Sequence, residues 1–249
     1  MLRYNLRENI FVDTNSSNNK KDQCAVVVSS FDGNEDLWKP FFTLFFRYWP
    51  DCPFPVYLIS NEKKYLDDRV TTISVGKDIS WADTTKKALQ QISEPYILWL
   101  LDDLFLEHPT DTDYVLKLFE DMKIRHAACY YLTPRAMPNE RYVSLLAGLW
   151  DKKVFLDLLK SGENPWQMEI EGTERSRSFL MPFLAVDTPA LHHPERTAIV
   201  RGKWTWEGMM LCRKERMPVD FKKRGIDYAR KWRSLKDQFR KKIKRYLKM

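Results

Sequence analysis

Two adjacent carboxylates at the end of an unbroken apolar run constrain this chain more than any other stretch. Residues 96–106 read Tyr-Ile-Leu-Trp-Leu-Leu-Asp-Asp-Leu-Phe-Leu, directly after Pro95. Six apolar residues in succession, several aromatic or β-branched, form the pattern of a strand buried on both faces. That burial implies an α/β fold: a mostly parallel sheet flanked by helices. In such sheets ligands bind beyond the carboxyl ends of the strands, which is where Asp102 and Asp103 fall. Neighbouring like charges need compensation, and a hard divalent cation with oxygen ligands supplies it. The plainer alternative is an Asp-Asp turn that only ends the strand.

The chain before this stretch repeats the theme. Cys24-Ala25-Val26-Val27-Val28-Ser29-Ser30 is a second buried-strand pattern, broken by the turn residues Phe31-Asp32-Gly33-Asn34. An aromatic-rich helix is expected over 37–48, with its rings forming core, then strands over 54–60 and 70–75. A helix over 84–92, capped by Ser80 or Asp83, feeds the central strand, and strand–helix–strand spacing implies right-handed crossovers. Beyond the acidic pair, Thr110 or Asp111 opens another helix. Strands are expected over 127–132 and 142–146, and a helix over 152–159. Weaker patterns follow from Phe183 to Arg201, with a short strand over 198–200.

Charge is divided unevenly. The 249 residues carry a net +7, yet thirteen Lys or Arg against two Asp lie from Phe221 onward, so residues 1–220 hold about −4. The basicity is a property of the tail, which argues against a whole-chain nucleic-acid-binding surface. In that tail Tyr228, Trp232, Leu235, Phe239, Ile243 and Tyr246 recur at spacings of three and four. They line one apolar face of a basic amphipathic helix, suited to an anionic membrane surface. Packing on the domain is the other use of such a face. Residues 1–22 read as a polar N-terminal segment, 23–220 as the catalytic domain and 221–249 as the membrane-associating helix. No stretch approaches the roughly 20 apolar residues of a membrane span, and no signal-peptide pattern appears, so a cytoplasmic location is expected. The four cysteines are far apart and read as free thiols.

Three further groups are chemically suggestive. Asn164-Pro165-Trp166 opens a helical pattern carrying Glu169, Glu171 and Glu174, of which at most one suits a general base. Arg201-Gly202-Lys203 could close over an anionic diphosphate or form an ordinary exposed loop. His192-His193 is a candidate metal or phosphate contact, or simply a polar loop.

Taken together, the strand ending in Leu-Leu-Asp-Asp-x-Phe, the early strand ending in Ser-Ser-Phe-Asp-Gly and the Pro-Trp-Gln-Met-Glu stretch resemble bacterial GT-A glycosyltransferases of surface-polysaccharide (capsule or lipopolysaccharide) biosynthesis. The likeness spans roughly residues 23–210. It implies a GT-A-like Rossmann-type sheet and transfer of a sugar from a nucleotide donor, most readily a UDP-sugar, to a glycan or lipid-linked acceptor. It places Asp103 on a divalent metal (Mn or Mg), with Asp102 on the metal or near the donor ribose or sugar. Ser30 and Asp32 become nucleoside contacts, and Glu169 the base, with Glu171 or Glu174 as substitutes. A tail lying on the inner face of the cytoplasmic membrane through Trp232, Leu235, Phe239 and Ile243 fits such an enzyme. Truncation before Phe221 is then expected to release the protein from anionic vesicles while leaving donor hydrolysis measurable. Two other classes compete: a metal-dependent phosphoryl or nucleotidyl enzyme, and a non-catalytic adaptor on membrane or nucleic acid.

Overall fold

The computed structural model describes residues 23–134, 142–194 and 196–228. The N-terminal segment and Trp232, Leu235, Phe239 and Ile243, the residues expected to meet a membrane, lie outside the described residues. Seven strands form one sheet, in the order β3-β2-β1-β4-β6-β5-β7. They are β1 (Cys24–Ser29), β2 (Val56–Ser60), β3 (Val70–Ser74), β4 (Tyr96–Leu101), β5 (Cys129–Tyr131), β6 (Gly148–Asp151) and β7 (Phe183–Ala185). β1 pairs in parallel with β2 and with β4, in a register that sets Ser29 beside Leu101. β6 is antiparallel to both of its neighbours, so it alone runs against the other six. The sheet is therefore mixed but mostly parallel, as the apolar runs imply.

Alternation along β1 and β4 sends side chains to two cores. Val26, Val28, Leu98 and Leu100 meet α1 (Glu35–Tyr48) and α3 (Thr112–Ile124) on one face. Ala25, Val27, Ile97 and Trp99 meet α2 (Trp81–Leu89) and α4 (Lys152–Leu158) on the other. Each fully buried large apolar side chain contributes about 1.5–3 kcal/mol. The aromatic helix is core, as its pattern implies: Trp38, Phe41, Phe42, Phe45 and Trp49 are all buried. Helix starts are set by side-chain caps, with Ser80 opening α2 and Asp111 opening α3.

Residues 142–146 are not the expected strand. Their backbone donors are taken by side chains from elsewhere: Val143 N–H by Thr173 (2.8 Å), Ser144 N–H by the Tyr131 hydroxyl (3.0 Å) and Leu145 N–H by Glu169 (2.8 Å). With its donors satisfied this way the segment joins no ladder, and the sheet is completed by β6 instead. β7 and α6 (Trp206–Lys214) were also not foreseen. Phe221 was also expected to open the tail helix. Residues 221–227 are non-helical and pack on the body, where Phe221 meets the Trp204 ring edge-on at 5.2 Å.

Gly208, in the first turn of α6, shows how closely the last elements are fitted. A Cβ there would come 2.6 Å from Ala198 Cα and 2.9 Å from its carbonyl oxygen, both backbone atoms. In an open helix Gly→Ala stabilises by about 1 kcal/mol. Here overpacking, costing about 1–3 kcal/mol, opposes that gain and outweighs it. Gly208→Ala is expected to lower the melting temperature, measured by calorimetry.

Candidate active site

The carboxyl ends of β1 and β4 lie side by side, which brings together residues about seventy positions apart. Ser30 donates its hydroxyl to Asp102 Oδ2 at 2.5 Å, and Asn34 donates its side-chain N–H to the same oxygen at 2.9 Å. The Trp38 indole donates in turn to Ser30 Oγ at 2.6 Å. Asp102 is only 5% exposed, whereas Asp103 is half-buried. Burial, followed by the charge of Asp103, pushes the Asp102 carboxyl up to about 7 against the bonds from Ser30 and Asn34. Burial likewise raises Asp103 to about 6, opposed by hydrogen bonds from Thr197 and the Ile199 backbone.

Raised carboxyl pKa values make folding pH-dependent with a definite sign. Between about pH 4 and pH 7 the unfolded chain has released these protons while the folded chain still holds them. The stabilisation is thus complete below about pH 4 and is lost as pH rises through 6 and 7. In chelator-treated protein this pair contributes a falling melting temperature across that window, and Asp102→Asn is expected to flatten the slope. A slope unchanged by Asp102→Asn would contradict the assignment.

A hairpin with a two-residue turn starts beside Asp103. β8 (Ile199–Val200) and β9 (Lys203–Trp204) are joined by Arg201 and Gly202, with φ of 52° and 75°. Positive φ at both turn positions marks the tight type I′ connection, which glycine adopts freely. Its base is fastened by Ala198 N–H to the Asp103 carbonyl at 2.7 Å. Arg201 and Lys203 are exposed on the hairpin.

The other expected residues are placed as follows. Both Asp32 oxygens accept backbone N–H groups of the turn after β2, from Glu62 and Lys63, and Oδ1 also accepts from Asn61. That carboxylate thus fixes the β1–β2 edge of the site. Glu169 lies on α5 (Pro165–Ser176), where its Oε1 accepts from Leu145 N–H at 2.8 Å and the Ser144 hydroxyl at 3.3 Å. Because Gly148 pairs antiparallel with Trp99, the chain leading into β6 comes from the direction of the carboxyl end of β4, the edge that carries the acids. α5 is held by a capping box at Asn164 and by Arg175, whose two N–H arms reach Glu163 at 2.7 and 2.6 Å. Glu171 and Glu174 are exposed, and Glu174 pairs with Arg177. His192 is bound through its carbonyl to Glu107 N–H, and the His193 ring contacts the Pro194 carbonyl at 2.7 Å.

Sequence reasoning missed Arg224 and Asp36. Arg224 grips Asp36 with two arms, at 2.8 and 2.5 Å, and reaches Asn34 Oδ1 at 3.0 Å. Burial would raise Asp36, but the bonds and charge of Arg224 prevail and hold it below its ordinary value. A basic run hides such a residue, since its neighbours look alike.

Among the described residues no three His, Cys, Asp or Glu side chains converge as a complete metal cage. The donor set nonetheless fits a magnesium-like ion. Such an ion is commonly held by one or two carboxylates, with substrate phosphates and water completing the shell. Asp103, half-open beside a second carboxylate, offers that kind of site. Asp102 is committed to Ser30 and Asn34 through Oδ2.

No model of a known protein family matches the sequence, and no curated protein matches it. Structures of similar shape include a protein of Desulfovibrio desulfuricans G20 described as a nucleotide-diphospho-sugar transferase, at 14% identity and a TM-score of 0.43, covering 67% of this chain and 80% of that one. TarS of S. aureus in complex with UDP aligns at 12% identity and a TM-score of 0.43, over 62% of this chain and 54% of that chain. The bifunctional IspDF of Campylobacter jejuni aligns at 12% identity and 0.43, over 69% and 52%. The chain thus spans about half the length of the last two. Cytidylyltransferases are also among these structures.

Proposed function

We propose that this chain is a glycosyltransferase that moves a sugar from a nucleotide donor, a UDP-sugar foremost, to a glycan or lipid-linked acceptor. One observation carries the reading: an acid pair, Asp102 buried and Asp103 half-buried, at the carboxyl end of a central parallel strand, on the same sheet edge as a carboxylate fixed by a loop. Departure of a nucleoside diphosphate builds negative charge, and stabilising that charge is the main catalytic task. A divalent ion held by Asp103, with Asp102 beside it, would neutralise the diphosphate. Arg201 and Lys203, exposed on the hairpin whose base is bonded to Asp103, suit the same charge as a cationic clamp. Glu169 is the residue we assign to take the proton from the acceptor hydroxyl. Its side chain is tied to the 144–145 loop, whereas Glu171 and Glu174 face solvent. A base on one side and the leaving diphosphate on the other implies inversion. We also propose that residues 229–249 hold the enzyme on an anionic membrane surface, at the inner face of the cytoplasmic membrane.

Product chemistry tests the reading. Incubation with a panel of nucleotide-sugars and Mn²⁺ is expected to release the nucleoside diphosphate, and to give a product of inverted anomeric configuration with a suitable acceptor. Release of pyrophosphate from a nucleoside triphosphate instead would identify a nucleotidyl enzyme. Retention would remove Glu169 from the role of base.

A further inference from the structure

Arg224 lies in what the sequence presents as the beginning of a membrane tail, yet its side chain is only 11% exposed and reaches the acid pair through one intermediary. It donates to both oxygens of Asp36, to the Gly33 carbonyl at 2.8 Å and to Asn34 Oδ1 at 3.0 Å. Asn34 then donates from Nδ2 to Asp102. A guanidinium can only donate, so it accepts just one face of the Asn34 amide, the oxygen. That choice leaves the NH₂ group turned towards Asp102. Without Arg224 the amide could rotate and set its oxygen against a carboxylate, losing a donor and adding a repulsive contact.

The backbone around Arg224 is itself fastened to the site. Trp204 N–H donates to the Gly225 carbonyl at 3.0 Å, Asp227 N–H donates to Trp204 at 2.9 Å, and Ile226 pairs with Trp204 as a parallel bridge. Trp204 is in β9, the second strand of the hairpin whose base is bonded to Asp103. The segment therefore holds Asp102 through Asn34 and adjoins the hairpin fastened to Asp103.

We propose that Arg224 is a positioning residue of the donor site, setting the Asn34 amide as a donor to Asp102, and that residues 221–228 belong to the catalytic unit rather than to a detachable tail. The inference rests on the donor-site reading above. It moves the useful truncation point: removal of residues 229–249 keeps the site, whereas a cut before Phe221 dismantles it.

UDP binding with Mn²⁺, followed by calorimetric titration into wild type, Arg224→Ala, Arg224→Lys, Asn34→Ala and the Arg224→Ala/Asn34→Ala double variant, tests this. Coupled neighbours are expected to give about tenfold weaker binding in each Ala single variant, with the double variant no weaker than either single one. Lysine keeps the charge but cannot form the fork to Asp36 and Asn34 together, so Arg224→Lys is expected to resemble Arg224→Ala. Additive losses overturn the proposal. So does wild-type affinity in Arg224→Lys, which would make the effect one of charge alone. An Arg224→Ala variant that melts lower yet binds UDP normally while folded would show a structural role only, and also overturns it. If wild type binds no nucleotide, the donor-site reading falls separately. A neutron crystal structure of Arg224→Ala, which locates the amide hydrogens, then decides the positioning claim: Asn34 Nδ2 still bonded to Asp102 overturns it, and a rotated amide supports it.

Discussion

Asp103→Asn is expected to lower kcat/KM for nucleotide-sugar cleavage by on the order of 10²–10³, the usual effect of removing one preorganised electrostatic group aimed at transition-state charge. The same change is expected to leave the melting temperature of metal-free protein at pH 7 unchanged or higher. The two results belong together. Burial raises the Asp103 carboxyl to about 6, so ionising it at neutral pH works against folding. Asn keeps the shape and relieves the repulsion with Asp102. A residue that lowers stability where it stands, yet is indispensable to turnover, is a functional residue. Steady-state kinetics and scanning calorimetry on the one variant read both quantities. Full activity in Asp103→Asn would leave the pair a structural turn and remove Asp103 from the donor site.

Trp99→Ala is expected to have the largest effect on stability. Trp99 is fully buried on β4, edge-to-face with Trp81 at 6.1 Å and 4.8 Å from Phe155. Truncating a buried aromatic to Ala costs about 3–5 kcal/mol, a large share of the 5–15 kcal/mol that holds a typical domain together. The loss also reaches the site, because Trp81 donates its indole N–H to Ser29 Oγ at 3.2 Å, next to Ser30. Trp99→Phe should cost far less. The Trp99 indole N–H is buried with no hydrogen-bond partner among the described residues, so Phe gives up volume but also removes an unsatisfied donor. Chemical denaturation should show a lower midpoint for Trp99→Ala, with Trp99→Phe between it and wild type. Equal midpoints for Trp99→Ala and wild type would refute the packing account.

What was legible in the sequence was whatever burial on both faces makes contiguous. β1 and β4 announce themselves as apolar runs because no side of either strand meets water, and the Asp pair is visible because it ends one of them. Side-chain caps are local and were readable to within a pair, Ser80 or Asp83 and Thr110 or Asp111, of which the helices use Ser80 and Asp111. The failures are non-local. Residues 142–146 have strand-like residues, but Thr173, Tyr131 and Glu169 take their donors, and no local pattern reveals those partners. α6 carries Gly208 in its first turn, which weakens the helical signal. The glycine is there because Ala198 leaves no room for a Cβ. Arg224 was concealed by the company it keeps, one cation in a run of many. Its role depends on Asp36 and Asn34, nearly two hundred residues earlier.

Calorimetric titration of UDP into the protein, with Mn²⁺ and then with chelator, decides whether Asp103 holds a metal-bound nucleotide. Binding is expected to require the metal and to disappear in Asp103→Asn. Binding indifferent to both metal and Asp103, or none with any nucleotide in a panel including GDP, dTDP and CMP, would contradict it.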